Sequence, residues 1–166
     1  DRYGWVPPQR SIQAAVNEKG FATEIAGKSV TALSISCNRL GDVYLKLGEV
    51  ARALDYFEKS LAIDAELHRK FPDSVQHARD LSVSYNKLGG VYLKLGEVAQ
   101  AQEYFQKSLA ISEELHRKFP DSVEYARDLA VSYYEIANLY DTAQPTEARA
   151  WWQKCRQQLR SMKEQR

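Results

Sequence analysis

Apolar and small residues recur along this chain at three- and four-residue steps, and the steps are interrupted at regular points. Cys37, Leu40, Gly41, Tyr44 and Leu47 form one stripe of an amphipathic helix that Gly48 closes. A second stripe runs through Val50, Ala53, Phe57, Ser60, Ile63, Leu67 and Phe71. His68, Arg69 and Lys70 stand near the negative end of its dipole, and Pro72 stops it. Gly48, Pro72, Gly96 and Pro120 break up what a continuous coiled coil would need unbroken, so the pattern predicts antiparallel helical hairpins. Each helix would hold about 22 residues and measure about 33 Å. Asp73 opens D-x-x-Q and Asp121 opens D-x-x-E, each read as a capping box that starts the next helix.

The pattern is also copied. Residues 33–80 return as 81–128 with about three quarters of the letters unchanged, and the copy starts again at Leu129, a period of 81 − 33 = 48 residues. A unit of this kind cannot bury its apolar face alone and must stack on its neighbours. The chain therefore divides into an N-terminal arm with leading helices (1–32), two repeats (33–80 and 81–128), and a degenerate third repeat with a capping helix (129–166). In the arm, Pro7 and Pro8 favour polyproline II, and Tyr3 and Trp5 either dock on the helices or end a linker. Residues 11–19 predict a short helix capped by Gly20, and a helical pattern resumes from Thr23 through Leu47 despite Gly27. In the third copy Ile136, Ala137 and Tyr140 keep the first helix. The turn there, Asp141 to Pro145, is one residue shorter and lacks the glycine, and Ala148, Trp152 and Cys155 then resume the stripe. A start at Asp1 without methionine, together with a truncated last copy, predicts a piece of something longer.

Composition narrows the function. Lys plus Arg at 23 against Asp plus Glu at 22 leaves a net charge of +1, which lacks the basic excess of a nonspecific nucleic-acid binder. Cys37 and Cys155 have no C-x-x-C spacing and read as core thiols of a reduced, cytoplasmic protein. No apolar run approaches the roughly 18 residues that span a bilayer, so no membrane partner is expected. Catalysis finds no Gly-rich phosphate loop, H-E-x-x-H or nucleophile motif, and no cofactor or metal is expected. His68 and His116 are one repeat position, while His77 becomes Tyr125 in the next copy. Asp64, Glu66, Glu113 and Glu114 read as exposed helix charges, Trp151 and Trp152 as core, and the basic stretch 154–166 as a solvated last helix.

The residues Asn38-Arg39-Leu40-Gly41-x-x-Tyr44 and Asn86-Lys87-Leu88-Gly89-x-x-Tyr92 carry a resemblance. Followed by Gly48 or Gly96, Ala53 or Ala101, and Phe57 or Phe105, they resemble the tetratricopeptide repeat signature in order and spacing. The resemblance implies an all-α fold, a right-handed α-solenoid of helix hairpins, with Gly41 and Ala53 at close helix approaches and Tyr44 and Phe57 filling space between hairpins. The family period is about 34 residues. The longer period here is similar to extended-helix variants such as kinesin light chain repeats.

The resemblance also implies a function: a noncatalytic scaffold or adaptor that binds a partner peptide or helix in the concave groove lined by the first helix of each hairpin. On that face lie Asn38, Arg39, Asp42 and Lys46, then Asn86, Lys87 and Lys94, then Tyr134 and Asn138, with Ile35, Leu45, Val83, Gly90, Leu93, Val131, Glu135, Asp141 and Thr142 beside them. Asparagine amides that can pair with peptide backbone, together with cations from two repeats, point to an acidic protein or peptide partner. The competing reading is a solvated face whose cations are balanced by Asp42 and Glu135. Hsp70 and Hsp90 tails are not expected, because a terminal carboxylate would meet Asp42 and Glu135. Alternatives are a regulatory or sensor arm of a larger signalling protein or enzyme, and a self-assembling module that forms a homo-oligomer through its repeat ends. An RNA-binding helical repeat would need a basic groove, which Asp42, Glu135 and Asp141 interrupt.

Overall fold

The computed structural model describes residues 21–141 and 145–164, with side chains from residue 29 onward. Six helices follow one another: α1 (Phe21–Lys46), α2 (Val50–Lys70), α3 (Val75–Lys94), α4 (Val98–Lys118), α5 (Val123–Asp141) and α6 (Pro145–Glu164). Among the described residues no strand occurs, and no helix is long and apolar enough to cross a membrane. The predicted arm and the helix over 11–19 lie outside the described residues. Helix α1 runs straight through Gly27 and ends at Lys46, one residue before the predicted end.

The hairpins are α1–α2, α3–α4 and α5–α6, and each packs on the next through α2 against α3 and α4 against α5. The first two share one tight turn. Gly48 (φ 77°) and Gly96 (φ 78°) take the left-handed conformation that favours glycine. The N–H of Glu49 donates to the Tyr44 carbonyl at 2.9 Å and that of Gly48 to the Leu45 carbonyl at 3.1 Å, which is a Schellman closure. The turn before α6 has no glycine, and Pro145 takes the first helical position, where a missing N–H goes unnoticed.

Between hairpins the predicted capping box shifts by one residue. Ser74, not Asp73, caps α3 by accepting from the His77 N–H at 3.3 Å, and Ser122, not Asp121, accepts from the Tyr125 N–H at 3.4 Å. The Ser74 N–H closes a turn on the Phe71 carbonyl at 3.0 Å, and that of Ser122 on the Phe119 carbonyl at 3.1 Å, and the turns containing Pro72 and Pro120 leave Ser74 and Ser122 facing the free amides. Phe71 and Phe119, 40% and 41% exposed, are not core residues; they lie against the rings of His77 and Tyr125, both at 5.6 Å. A planar ring is thus what positions 77 and 125 share.

The core is built on a ring over a glycine. A Cβ on Gly41 would stand 2.6 Å from Phe57 Cε1, and one on Gly89 the same distance from Phe105 Cδ1. Phe57 is fully buried and belongs to one cluster with Ala53 and, from the next hairpin, Leu88 and Val91. The close approach expected at Gly41 is therefore of a ring onto a helix. Tyr44 stacks on Tyr56 at 5.3 Å, and Tyr92 on Tyr104 at 5.4 Å.

In the third hairpin Ala137 replaces the glycine, and Trp152 does not enter the core as expected. It turns outward to meet Tyr134 edge-on at 5.3 Å, with Nε1 donating to Asp141 at 3.4 Å. Trp151 is the one that packs against the core, beside Tyr133.

A polar seam runs beneath these rings. Within hairpins, Ser34 and Ser60 pair at 2.8 Å and Ser82 and Ser108 at 2.9 Å, and the third copy places Cys155 Sγ on the Ala130 carbonyl at 3.4 Å. Between hairpins, Ser84 donates to Asp64 and Ser112 pairs with Ser132 at 3.1 Å. Cys37 and Cys155 are both buried and free, and burial raises both thiol pKa values.

Candidate interaction groove

The first helices α1, α3 and α5 lie side by side across the hairpins, and two depressions open between them. The first, of about 180 Å³, lies at the α1–α3 junction and is lined by Thr31, Ser34, Ile35, Asn38, Arg39, Asp42, Asp64, Asp80 and Val83. The second, of about 240 Å³, lies at the α3–α5 junction and is lined by Ser82, Val83, Asn86, Lys87, Asp128, Val131 and Glu135. Ile35 and Val131 are 45% and 42% exposed, so each depression has an apolar rim.

The structure distributes the expected groove residues unevenly. Asn38, Arg39 and Asp42 line the first depression, and Asn86 and Lys87 the second. Asn38 donates to Ser84 Oγ at 3.5 Å, while its Oδ1 and the Oδ1 of Asn86 are buried without a partner. Lys87 is held between the depressions by Asp42 at 2.6 Å, an ion pair about one third exposed, and sits 5.9 Å over the Phe57 ring. It neutralises one of the carboxylates counted against it. Lys46 and Lys94 are exposed and line neither depression. Tyr134 is engaged by Trp152, and Asn138 is half-buried outside both depressions. Glu135 lines the second depression, where burial raises its pKa against the pull of Lys87.

Two floor residues were missed by the sequence reading. Asp64, expected to be an exposed helix charge, is 1% exposed. Its Oδ2 accepts from Ser84 and Ser60, and its Oδ1 has no partner. Burial raises its pKa, with the hydroxyls of Ser34 and Ser84 opposing the shift. Asp80 Oδ1 accepts from Gln76 at 2.8 Å, its Oδ2 is buried without a partner, and burial raises its pKa too. The signal for Asp64 was its place four residues after Ser60 and three before Leu67, inside the buried stripe. Among the described residues no group of three His, Cys, Asp or Glu side chains converges to hold a metal ion.

A stack of helical hairpins carrying an open groove on its first helices is the architecture of a helical-repeat interaction module. Tetratricopeptide repeat family models match residues 34–67 and 80–160, which together take in most of the chain, and the chain belongs to that family. No curated protein compared with it matches in sequence. Tetratricopeptide repeats are protein–protein interaction modules, typically without catalysis.

Proposed function

We propose that this protein is a noncatalytic scaffold that binds a segment of a partner protein in the groove formed by α1, α3 and α5. The observation that carries the reading is the pair of depressions with apolar rims and buried amide oxygens of Asn38 and Asn86 awaiting donors. A peptide backbone N–H is the donor such an oxygen fits. The partner's polarity follows the floor. Asp64, Asp80 and Glu135 lie there without an ion pair among the described residues, while Lys87 and Asp128 are already paired with Asp42 and Arg79, so a basic or neutral segment suits the groove better than the acidic one expected from its lysines. The test is panning a displayed peptide library on the protein and mapping a selected peptide by amide shift perturbation. Perturbation of Ile35, Asn38, Val83, Asn86 and Val131 supports the groove; perturbation confined to α2 and α4 sinks it.

A second reading, self-assembly through a repeat end, rests on α1. Leu33, Leu40 and Val43 are 37%, 42% and 49% exposed, whereas their counterparts Leu81, Leu88 and Val91 are 6%, 0% and 0% exposed beneath the preceding hairpin. A second copy would cover that stripe. Mass from light scattering that rises with concentration, and falls back in Leu40→Glu, supports this reading. A constant monomer mass excludes it, and protection of the stripe in that monomer assigns it to residues 1–20 of the same chain.

A further inference from the structure

The two junctions are built from equivalent positions, and the first has a threonine where the second has an arginine. At the second, Arg79 of α3 reaches across to α5, where its Nε and Nη2 hold both oxygens of Asp128 and its Nη1 meets Glu124 at 2.7 Å. Forty-eight positions earlier the same three places are Thr31, Asp80 and Gln76. Thr31 cannot reach as a guanidinium does. Asp80 Oδ2 is left without a partner, although Gln76 serves the other oxygen.

A second change deepens the difference. Ser112, which pairs with Ser132 at the second junction, is matched by Asp64 at the first, and Asp64 Oδ1 is also unpartnered at 1% exposure. Asn38 Oδ1 makes a third orphan acceptor lining the same 180 Å³ depression. Arg39 stands on its rim but makes no ion pair with either carboxylate.

We propose that the first-junction depression is a receptor for the guanidinium of an arginine supplied by the partner, in the role that Arg79 plays internally at the second. Five N–H donors in a planar fork meet Asp80 Oδ2, Asn38 Oδ1 and Asp64 Oδ1, none of which has a hydrogen-bond partner among the described residues, although the Ser34 hydroxyl stands close enough to Asp64 to favour its charged form. Two carboxylates and an amide oxygen supply the charge that an ammonium or a divalent ion would also seek. The neighbouring junction, however, shows a guanidinium seated on Asp128, the equivalent of Asp80, while Asn86 there keeps its Oδ1 unpartnered as Asn38 does. The proposal rests on the groove reading, yet the site can be probed without any peptide.

The experiment is a titration of the full chain with ethylguanidinium, followed by amide shifts of Ser34, Asn38 and Ser84, with n-butylamine and calcium chloride as parallel probes. Saturable binding is expected with a Kd on the order of millimolar. Thr31→Arg fills the depression from within and Asp80→Asn removes one carboxylate; each should weaken the probe at least tenfold while the far-ultraviolet spectrum stays helical. No saturation by ethylguanidinium, or unchanged binding in both variants, overturns the proposal. Equal or tighter binding of butylamine or calcium overturns the guanidinium assignment. Failure here leaves the peptide-mapping result standing, and failure of the mapping leaves this titration readable.

Discussion

Adjacent glycines in α3 should respond to the same substitution with opposite signs. Alanine in a helix interior is favoured over glycine by about 1 kcal/mol, and both Gly89 and Gly90 would gain that much from backbone entropy. At Gly90 nothing lies within 4 Å of an added Cβ, so Gly90→Ala should stabilise by about 0.5–1 kcal/mol. At Gly89 the Cβ would stand 2.6 Å from Cδ1 and Cε1 of Phe105 and 3.1 Å from Cγ. Carbon atoms rest at about 3.5–4.0 Å, so the ring must retreat by about 1 Å. Phe105 is 0% exposed and packs in one cluster with Ala101, Leu129, Ile136 and Leu139, which leaves it nowhere to go. Overpacking of this kind costs about 1–3 kcal/mol, which at a confined ring outweighs the propensity gain. A net loss of about 1–2 kcal/mol lowers the melting temperature by about 2–8 °C for a chain of this size. Urea unfolding followed by circular dichroism, compared at equal slope, reads both variants. Phe105→Leu in the Gly89→Ala background should recover part of the loss. If both alanines shift stability in the same direction, the ring-on-glycine account is wrong.

Other outcomes follow from the buried groups. Asp64→Ser copies the chemistry of Ser112 and removes an unpartnered buried oxygen, so it should stabilise the fold at pH 7 by about 1–3 kcal/mol in thermal melts. Because burial raises the Asp64 pKa, the native state takes up its proton more readily than the unfolded chain. The wild type therefore recovers stability as pH falls toward the ordinary 3.8, and the advantage of the variant should shrink over that window. Tyr133, desolvated and donating to Glu113 at 3.3 Å, has its phenol pushed up to about 12. An alkaline ultraviolet titration should show a last tyrosine step that Tyr133→Phe removes, and native stability should decline as pH rises from 10 through that step. Cys37 and Cys155 should react with a thiol reagent only on unfolding, with both labels appearing together across the urea transition.

The helices and their ends were legible because backbone-limiting residues mark them. Gly48 and Gly96 do take positive φ, and Pro72 and Pro120 do stop α2 and α4. The caps were misplaced by one residue because Asp73 and Ser74 are both capping types, and only the fold of the connection decides which faces the free amides. Leu40 reads as core by period yet is exposed, since a stripe tells which face is apolar and not whether a neighbour covers it. The groove face was legible from helical spacing, but its floor was not. Asp64 comes from the second helix and reaches the groove through the stack, and a carboxylate normally signals solvent. Trp152 followed the stripe of Phe57 and Phe105 in sequence and left it in space, and α5 carries Ala137 at the place where Gly41 and Gly89 receive a ring.

The seam of serines acts as an address system for the stack. Purely apolar faces of near-identical hairpins would match in several offsets and in either order, since one leucine receives another almost as well as a third. A hydroxyl buried without its mate is penalised, so Ser60 must meet Ser84 and Ser112 must meet Ser132, and a slip by one helical turn would strand every such pair at once. The two junctions do not carry the same label: Asp64 with Ser84 at one, Ser112 with Ser132 at the other. Two copies of one sequence unit are thereby made non-interchangeable, and each hairpin has a single position in the array.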